Sequence, residues 1–378
     1  MHRFRRSSGP FDEELISTAQ RLTKRGGGVL ASDESMGTIG KRLVAAGLSN
    51  DENTRRDFRE LLYTGEGLGD YLNGVILFHE TLYQSTRAGE RFVDVLNRSG
   101  VVVGIKVDKG LRPLPRHELE TYTEGLDGLG SRCKEYYEQG ARFAKWRATY
   151  KIDLEKGCPS ESALEVNAAG LADYASIAQD SGLVPIVEPE ILIDGAHSAE
   201  VSACVAEKVV AVVYEALRRR NILLEGTLLK PMMIFQGAQS SDKTSAEEIA
   251  RLTIKTMRRC VPPAVPGIMF LSGGMSEEDA TKNLDAINKL AASGEPGTAC
   301  PWALSFSYGR ALQSSVLNTW AGKEEMREDA KRAAVALAKA NAEAQMGNYK
   351  GPHPTKIKAA NLIEGFRGWR EGADPDRK

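Results

Sequence analysis

Cysteine is scarce in this chain and shows no pairing pattern. There are five (Cys133, Cys158, Cys204, Cys260 and Cys300), an odd number without a C-x-x-C pair. That excludes a disulfide framework or a zinc knuckle and suits a reducing compartment. Histidine is as thin: His2, His79, His117, His197 and His353 stand far apart with no H-x-x-x-H spacing, so there is no local metal signature, and neither a metal nor a cofactor is expected. Charge of one sign is missing too. Against 50 Lys and Arg stand 51 Asp and Glu, a net charge of −1, which argues against a dedicated nucleic-acid surface. No apolar run is long enough to cross a bilayer. The basic opening MHRFRRSSGP leads into no apolar signal-peptide core, so it reads as a short solvated arm or a fragment of a transit peptide.

What is present is alternation. Short β-like runs occur at 28–34, 74–80, 101–108, 141–150, 183–191, 227–234, 267–274 and 302–309. Between them lie amphipathic segments at 52–63, 160–181, 198–219, 245–259 and 276–291, then an Ala/Lys-rich one at 323–346. Ser198 and Ser276 are placed to cap two of these, the second followed by Glu277, Glu278 and Asp279. Alternating strands and helices predict a parallel sheet covered by helices. Eight units of this length predict a closed (β/α)8 barrel, in one α/β domain over residues 1–348. An open doubly wound sheet is the alternative, but no G-x-G-x-x-G follows the first strand. Helical patterns at 11–24 and 39–46 are expected to decorate the barrel, and residues 349–378 to form a mobile tail.

In such a barrel, active groups sit at the C-terminal strand ends, and alternate residues face inward. Charged residues embedded in the strands obey that rule. Lys106 and Asp108 share a face in GIKVD, Lys145 and Arg147 in FAKWR, Glu188 and Glu190 in IVEPE; Asp33 ends the first strand and Lys230 sits in TLLKPMMI. Any one of them could belong to a structural ion pair at the rim. As a converging set they point to chemistry, since each buried charge needs compensation for lost hydration. A lysine amine near other cations is a nucleophile that condenses with a ketone, and neighbouring carboxylates move the protons.

Two motifs suggest phosphate. LSGGM places Ser272, Gly273 and Gly274 after the seventh strand, and FSYGR places Ser307, Gly309 and Arg310 after the eighth, the usual phosphate cradle of these barrels. Near the first strand, ESMGTIGKR offers Ser35, Thr38, Lys41 and Arg42 for a second phosphate, or only an ordinary capped helix.

The segments LASDES, ILFHETLYQS, GIKVDKG, GLDGL, ARFAKWR, GLVPIVEPEIL, LLKPMM, PPAVPGIMFLSGG and FSYGRALQ together resemble the class I fructose-bisphosphate aldolases, in the family's order from about residue 11 to 348. The resemblance implies reversible cleavage of fructose 1,6-bisphosphate to dihydroxyacetone phosphate and glyceraldehyde 3-phosphate. It makes Lys230 the Schiff-base lysine, Glu188 the main acid/base, and Asp33 the carboxylate that takes the C4-hydroxyl proton. Lys145 is the cation that favours the nucleophile and holds substrate, with Glu190 and Arg147 its neighbours. Lys106 and Arg42 match contacts at the 6-phosphate end. Ser272, Gly273, Gly274, Ser307, Gly309 and Arg310 match the 1-phosphate site. By the same analogy the partners are sugar phosphates and further copies of the chain in a homotetramer, with no nucleic acid and no membrane. The cytoplasm is the expected compartment, or the plastid stroma, since GLGDYLNGVILFHETLYQS and GERFVDVLNRSG look similar to plastid-type members.

Two departures stand out. KLAASGEPGTACPW is longer than usual in the family and reads as a surface loop. The end, GFRGWREGADPDRK, lacks the terminal tyrosine that assists carbanion protonation in most eukaryotic members. Two other functions stay open on the residues alone: another Schiff-base aldolase or transaldolase acting on sugar monophosphates, and a non-catalytic binding protein on a barrel scaffold.

Overall fold

The computed structural model describes residues 9–355 and 357. Its strands are β1 (Gly28–Ser32), β2 (Leu72–Leu77), β3 (Val102–Lys106), β4 (Leu111–Leu114), β5 (His117–Thr123), β6 (Phe143–Tyr150), β7 (Val184–Ile191), β8 (Leu228–Leu229), β9 (Gly267–Phe270) and β10 (Ala303–Tyr308). Eight of them close a parallel barrel in the order β1-β2-β3-β6-β7-β8-β9-β10, the (β/α)8 architecture. The helices are α1 (Asp12–Leu22), α2 (Met36–Ala45), α3 (Glu52–Tyr63), α4 (His79–Leu82), α5 (Phe92–Arg98), α6 (Leu129–Glu138), α7 (Glu161–Asp180), α8 (Ala199–Arg219), α9 (Ala246–Cys260), α10 (Glu277–Ala292), α11 (Arg310–Trp320) and α12 (Arg327–Gln345). Ser198 and Ser276 cap α8 and α10 as expected, accepting from the Val201 and Asp279 amides.

The barrel interior follows from the period of two along a strand. Val29, Ala31, Ile76, Val102, Phe143, Val184, Ile186, Leu228 and Met269 form one buried apolar cluster inside it. Glycine at 74 and 104 leaves room for the Phe143 ring; a Cβ at Gly104 would lie 2.3 Å from ring carbons. The helices pack outside, around a second and larger apolar cluster.

Three local readings change. The helical pattern at 11–24 does not decorate the outside: Leu15, Ala19 and Leu22 of α1 join the interior cluster and close the N-terminal end of the barrel. The sixth barrel strand pairs over only Leu228–Leu229, because Pro231 has no amide to extend the ladder. Between β3 and β6 an antiparallel hairpin, β4–β5, turns at Arg116, whose φ is 66°. The hairpin braces β6: Thr123 donates to the Arg147 carbonyl at 2.7 Å, and the Thr121 and Thr149 hydroxyls meet at 2.7 Å.

Of the segment 349–378, the described part is pinned to α10. The Tyr349 amide donates to Asp285 at 3.0 Å, the His353 ring meets the Thr281 hydroxyl at 3.1 Å, and the Thr355 hydroxyl donates to Glu277 at 2.5 Å. The rest of that tail, including the end without a tyrosine, and the basic arm at 1–8 lie outside the described residues.

Filling the glycine gap tests this packing. Gly104→Ala forces its methyl into the Phe143 ring, and overpacking of this kind costs about 1–3 kcal/mol. Urea unfolding should show that loss; a midpoint equal to the parent's would mean that the ring has space to move.

Candidate active site

The inward parity that gives the apolar layers continues upward into charge. Val29 and Ala31 lead to Asp33, Val102 and Gly104 to Lys106, Phe143 to Lys145 and Arg147, Val184 and Ile186 to Glu188 and Glu190, and Leu228 to Lys230. Register then sets neighbours: Lys106 lies opposite Lys145, and Arg147 opposite Glu188. The Lys230 amide donates to the Val187 carbonyl at 2.8 Å, and the Leu271 amide to the Pro231 carbonyl at 2.9 Å, so the backbone at Lys230 is held from both sides although the ladder has ended.

The side chains form a buried chain of alternating charge. Lys230 Nζ is 3.1 Å from Glu188 Oε1; Glu188 Oε2 is 3.2 Å from Lys145 Nζ; Lys145 Nζ is 2.7 Å from Asp33 Oδ2. All four residues are less than a tenth exposed. Burial alone would raise the Asp33 carboxyl, but the Lys145, Lys230 and Lys106 charges outweigh it and hold it well below the usual carboxylate range. Burial likewise opposes the Lys145 ammonium, and Asp33, Glu188 and Asp108 more than compensate, so its pKa is raised. Arg147 pairs with Glu190, which is held below its ordinary value by that guanidinium in spite of burial. Lys106 reaches Asp108 at 3.3 Å and stands 5.8 Å over the Phe78 ring.

The opposite side of the mouth is cationic. Gly309 precedes α11 as its N-cap, and Arg310 opens that helix. Burial and the neighbouring Arg42 guanidinium both push Arg310 below the ordinary arginine range. Arg42, which the resemblance groups with Lys106 at the 6-phosphate end, thus lies close enough to Arg310 to act on it, while Lys106 pairs with Asp108. Ser307 is buried, and its hydroxyl has no partner among the described residues. Ser272 is buried, Gly273 approaches Glu190, and Gly274 turns the chain with φ 79° towards α10. Ser35 caps α2 by accepting from the Thr38 amide at 3.3 Å; its hydroxyl lies 3.1 Å from that of Thr38, which is exposed.

One group that sequence reasoning missed is central here. Glu34 accepts from Arg42 at 2.5 Å and from Gln313 at 2.9 Å, and pairs with buried Arg59 at 2.8 Å. Its carboxyl is lowered by Arg59 and Arg42 against the cost of burial. Gln313 also donates to the Ala31 carbonyl at 2.7 Å. This cluster fixes the strand-one turn to α3 and α11. The one available signal was a second acidic residue beside Asp33 in LASDES.

A model of the family "Fructose-bisphosphate aldolase class-I" matches residues 14–365. The chain belongs to the class-I fructose-bisphosphate aldolase family. It is 55% identical over 338 residues to fructose-bisphosphate aldolase 4, cytosolic, of Arabidopsis thaliana, covering 89% of this chain and 84% of that one. It is 52% identical over 360 residues to the chloroplastic aldolase 3 of the same plant, covering 95% and 89%. A solved structure of the Plasmodium falciparum aldolase, in complex with TRAP and a small-molecule inhibitor, superposes with a TM-score of 0.89 at 50% identity, over 92% of this chain and 98% of that one. Family membership makes the chain an aldolase, a lyase of the glycolytic type. Among the described residues no helix is long and apolar enough to cross a membrane, and no group of three His, Cys, Asp or Glu side chains is placed to hold a metal ion.

The charge chain makes a pH-dependent prediction. A carboxylate whose folded pKa is depressed contributes stability above its unfolded pKa, roughly 4, and loses it as pH falls through the folded value. Lys145→Met removes the cation that does most to hold the buried Asp33 carboxyl down, so its folded pKa rises and the variant gains relative stability as pH falls from 7 to 4. The parent's advantage should be about 3–5 kcal/mol at pH 7, the usual cost of breaking a buried pair, and should shrink towards pH 4. A difference that stays constant with pH in chemical denaturation would contradict this.

Proposed function

We propose that the chain cleaves fructose 1,6-bisphosphate reversibly to dihydroxyacetone phosphate and glyceraldehyde 3-phosphate, through a Schiff base on Lys230. The observation that carries this reading is the continuous chain Lys230–Glu188–Lys145–Asp33 in a buried mouth. Glu188 is within reach to take a proton from the Lys230 ammonium. The freed amine attacks the C2 ketone, and the same carboxyl returns the proton to the carbinolamine hydroxyl, which leaves as water. The resulting iminium draws electrons from the C3–C4 bond. Asp33, kept ionised by Lys145, takes the C4-hydroxyl proton as that bond breaks and the aldehyde departs. The remaining enamine is protonated at carbon, and water releases the ketone and restores Lys230.

Two guanidiniums side by side repel, and an anion between them relieves that repulsion. Arg42 and Arg310, with the Ser307 hydroxyl and the turn at Ser272–Gly274, therefore suit one phosphate; Lys106 and Arg147 suit the other. This two-ended cationic mouth favours a bisphosphate over the monophosphates of a transaldolase. A homotetramer is proposed by analogy with the family and is checked by light scattering at a mass near four chains. Relatives with cytosolic and chloroplastic names support a cytoplasmic compartment or a plastid one; fractionation of the source cells decides between them.

Borohydride with dihydroxyacetone phosphate, in buffer containing EDTA, should inactivate the enzyme and leave one covalent adduct on Lys230. Peptide mapping that placed the label on Lys106 or Lys145, or an EDTA loss of activity restored by a divalent ion, would overturn the mechanism. Separately, Arg310→Ala should raise KM for the bisphosphate and lower kcat/KM at least about tenfold, because a charged hydrogen bond to phosphate is worth roughly 1.5–3 kcal/mol. An unchanged KM in a folded variant would remove Arg310 from the phosphate site.

A further inference from the structure

The loop in KLAASGEPGTACPW is absorbed by nothing in the catalytic mouth. It follows α10 at the opposite end of the barrel, where Trp302 anchors it by donating to the Pro262 carbonyl at 2.9 Å. Between this loop and α9 lies a cleft of about 410 Å³, within the size range of small-molecule sites. Its floor is apolar, made by Ile254 and Leu290, and Gly297 and Thr298 form the loop wall. The α9 wall is wholly basic: Arg251, Lys255 and Arg258 recur at i, i+4 and i+7 on one helix face, with Arg259 beside them.

These cations are poorly matched by acids. Arg259 pairs with Glu207 of α8 at 3.1 Å, and Arg251 meets Glu295 of the loop only at 3.8 Å. Lys255 and Arg258 form no ion pair among the described residues, although both line the cleft. Gly297, with φ 85°, brings the loop so close that a Cβ there would lie 3.3 Å from Arg258 Nη1. Cations in a last helical turn also complement the helix dipole, which accounts for Arg258 and Arg259. It does not account for Arg251 and Lys255, further back along the helix, or for a loop folded over them.

We propose that this cleft is a second anion site, separate from the catalytic mouth, for a small ligand carrying two or more linked phosphate groups. Cations one helical turn apart, about 5.4 Å, suit successive phosphates, and an arginine fork suits the oxygens of each. The loop wall makes the site concave, which fits a compact ligand and not a polymer.

Calorimetric titration of the full chain with inorganic tripolyphosphate tests this, with ATP as a parallel arm to separate a nucleotide from a bare phosphate chain. Two sites per chain are expected, one in the mouth and one in the cleft. Arg310→Ala should weaken only the first. Lys255→Ala/Arg258→Ala, at two exposed positions, should weaken only the second, at least about tenfold for each cation removed, while KM for fructose 1,6-bisphosphate is unchanged. Lys331→Ala/Arg332→Ala on α12, an equal change in net charge, should keep both. Overturning results are a single site that Arg310→Ala abolishes, two sites that survive in the Lys255/Arg258 variant, an equal loss in the α12 variant, or binding of heparin without either small anion.

Discussion

One ammonium group, that of Lys145, lies buried between two carboxylates, 2.7 Å from Asp33 and 3.2 Å from Glu188. Removing such charges from water costs several kcal/mol per ion, so none of Asp33, Glu188, Lys145 or Lys230 could sit at this depth by itself. Together they form a neutral set, and the geometry that joins them is set by strand register. A slip of one residue along any strand would turn its charged side chain out of the barrel and its neighbour in. The long ladder between β6 and β7, paired from Phe143–Val184 to Tyr150–Ile191, is therefore also what sets Lys145 and Glu188 at bonding distance.

The rest of the mouth is built against that neutral set. Arg42 and Arg310 stay close together because Glu34 holds Arg42 and is itself held by Arg59 and Gln313, from two different helices. The cost of two neighbouring guanidiniums is thus carried by groups that never need to touch a substrate. The Glu34 cluster holds the guanidiniums, the Lys145 cluster carries the proposed chemistry, and both depend on β1, which brings in Asp33 and Glu34 as consecutive residues that join different clusters.

Much of this is legible in the order of the amino acids. Charged residues with period two inside apolar strands must converge on a shared interior to be compensated, so the barrel, the inward set and the strand-end motifs can all be read from residues 28 to 310. What cannot be read has physical causes. The β4–β5 hairpin carries Pro113, Pro115 and four charged residues from Arg112 to Glu120, a mixture that hides its alternation. Arg59 lies among charged neighbours in α3 and looks like one more solvated position, yet it is buried. The α1 pattern shows that one face is apolar but not which surface receives it. Periodicity reports a buried face; only three-dimensional packing names its partner.

The position of α1 has a kinetic meaning. With Leu15, Ala19 and Leu22 sealing the lower end and Phe143 filling the layer above, the barrel is a vessel with a single opening. Whatever enters must leave by the route it came, and the water that frees a bound fragment has to follow the departing one inward. Traffic through a dead end is sequential, so entry, water access and release all compete for one passage.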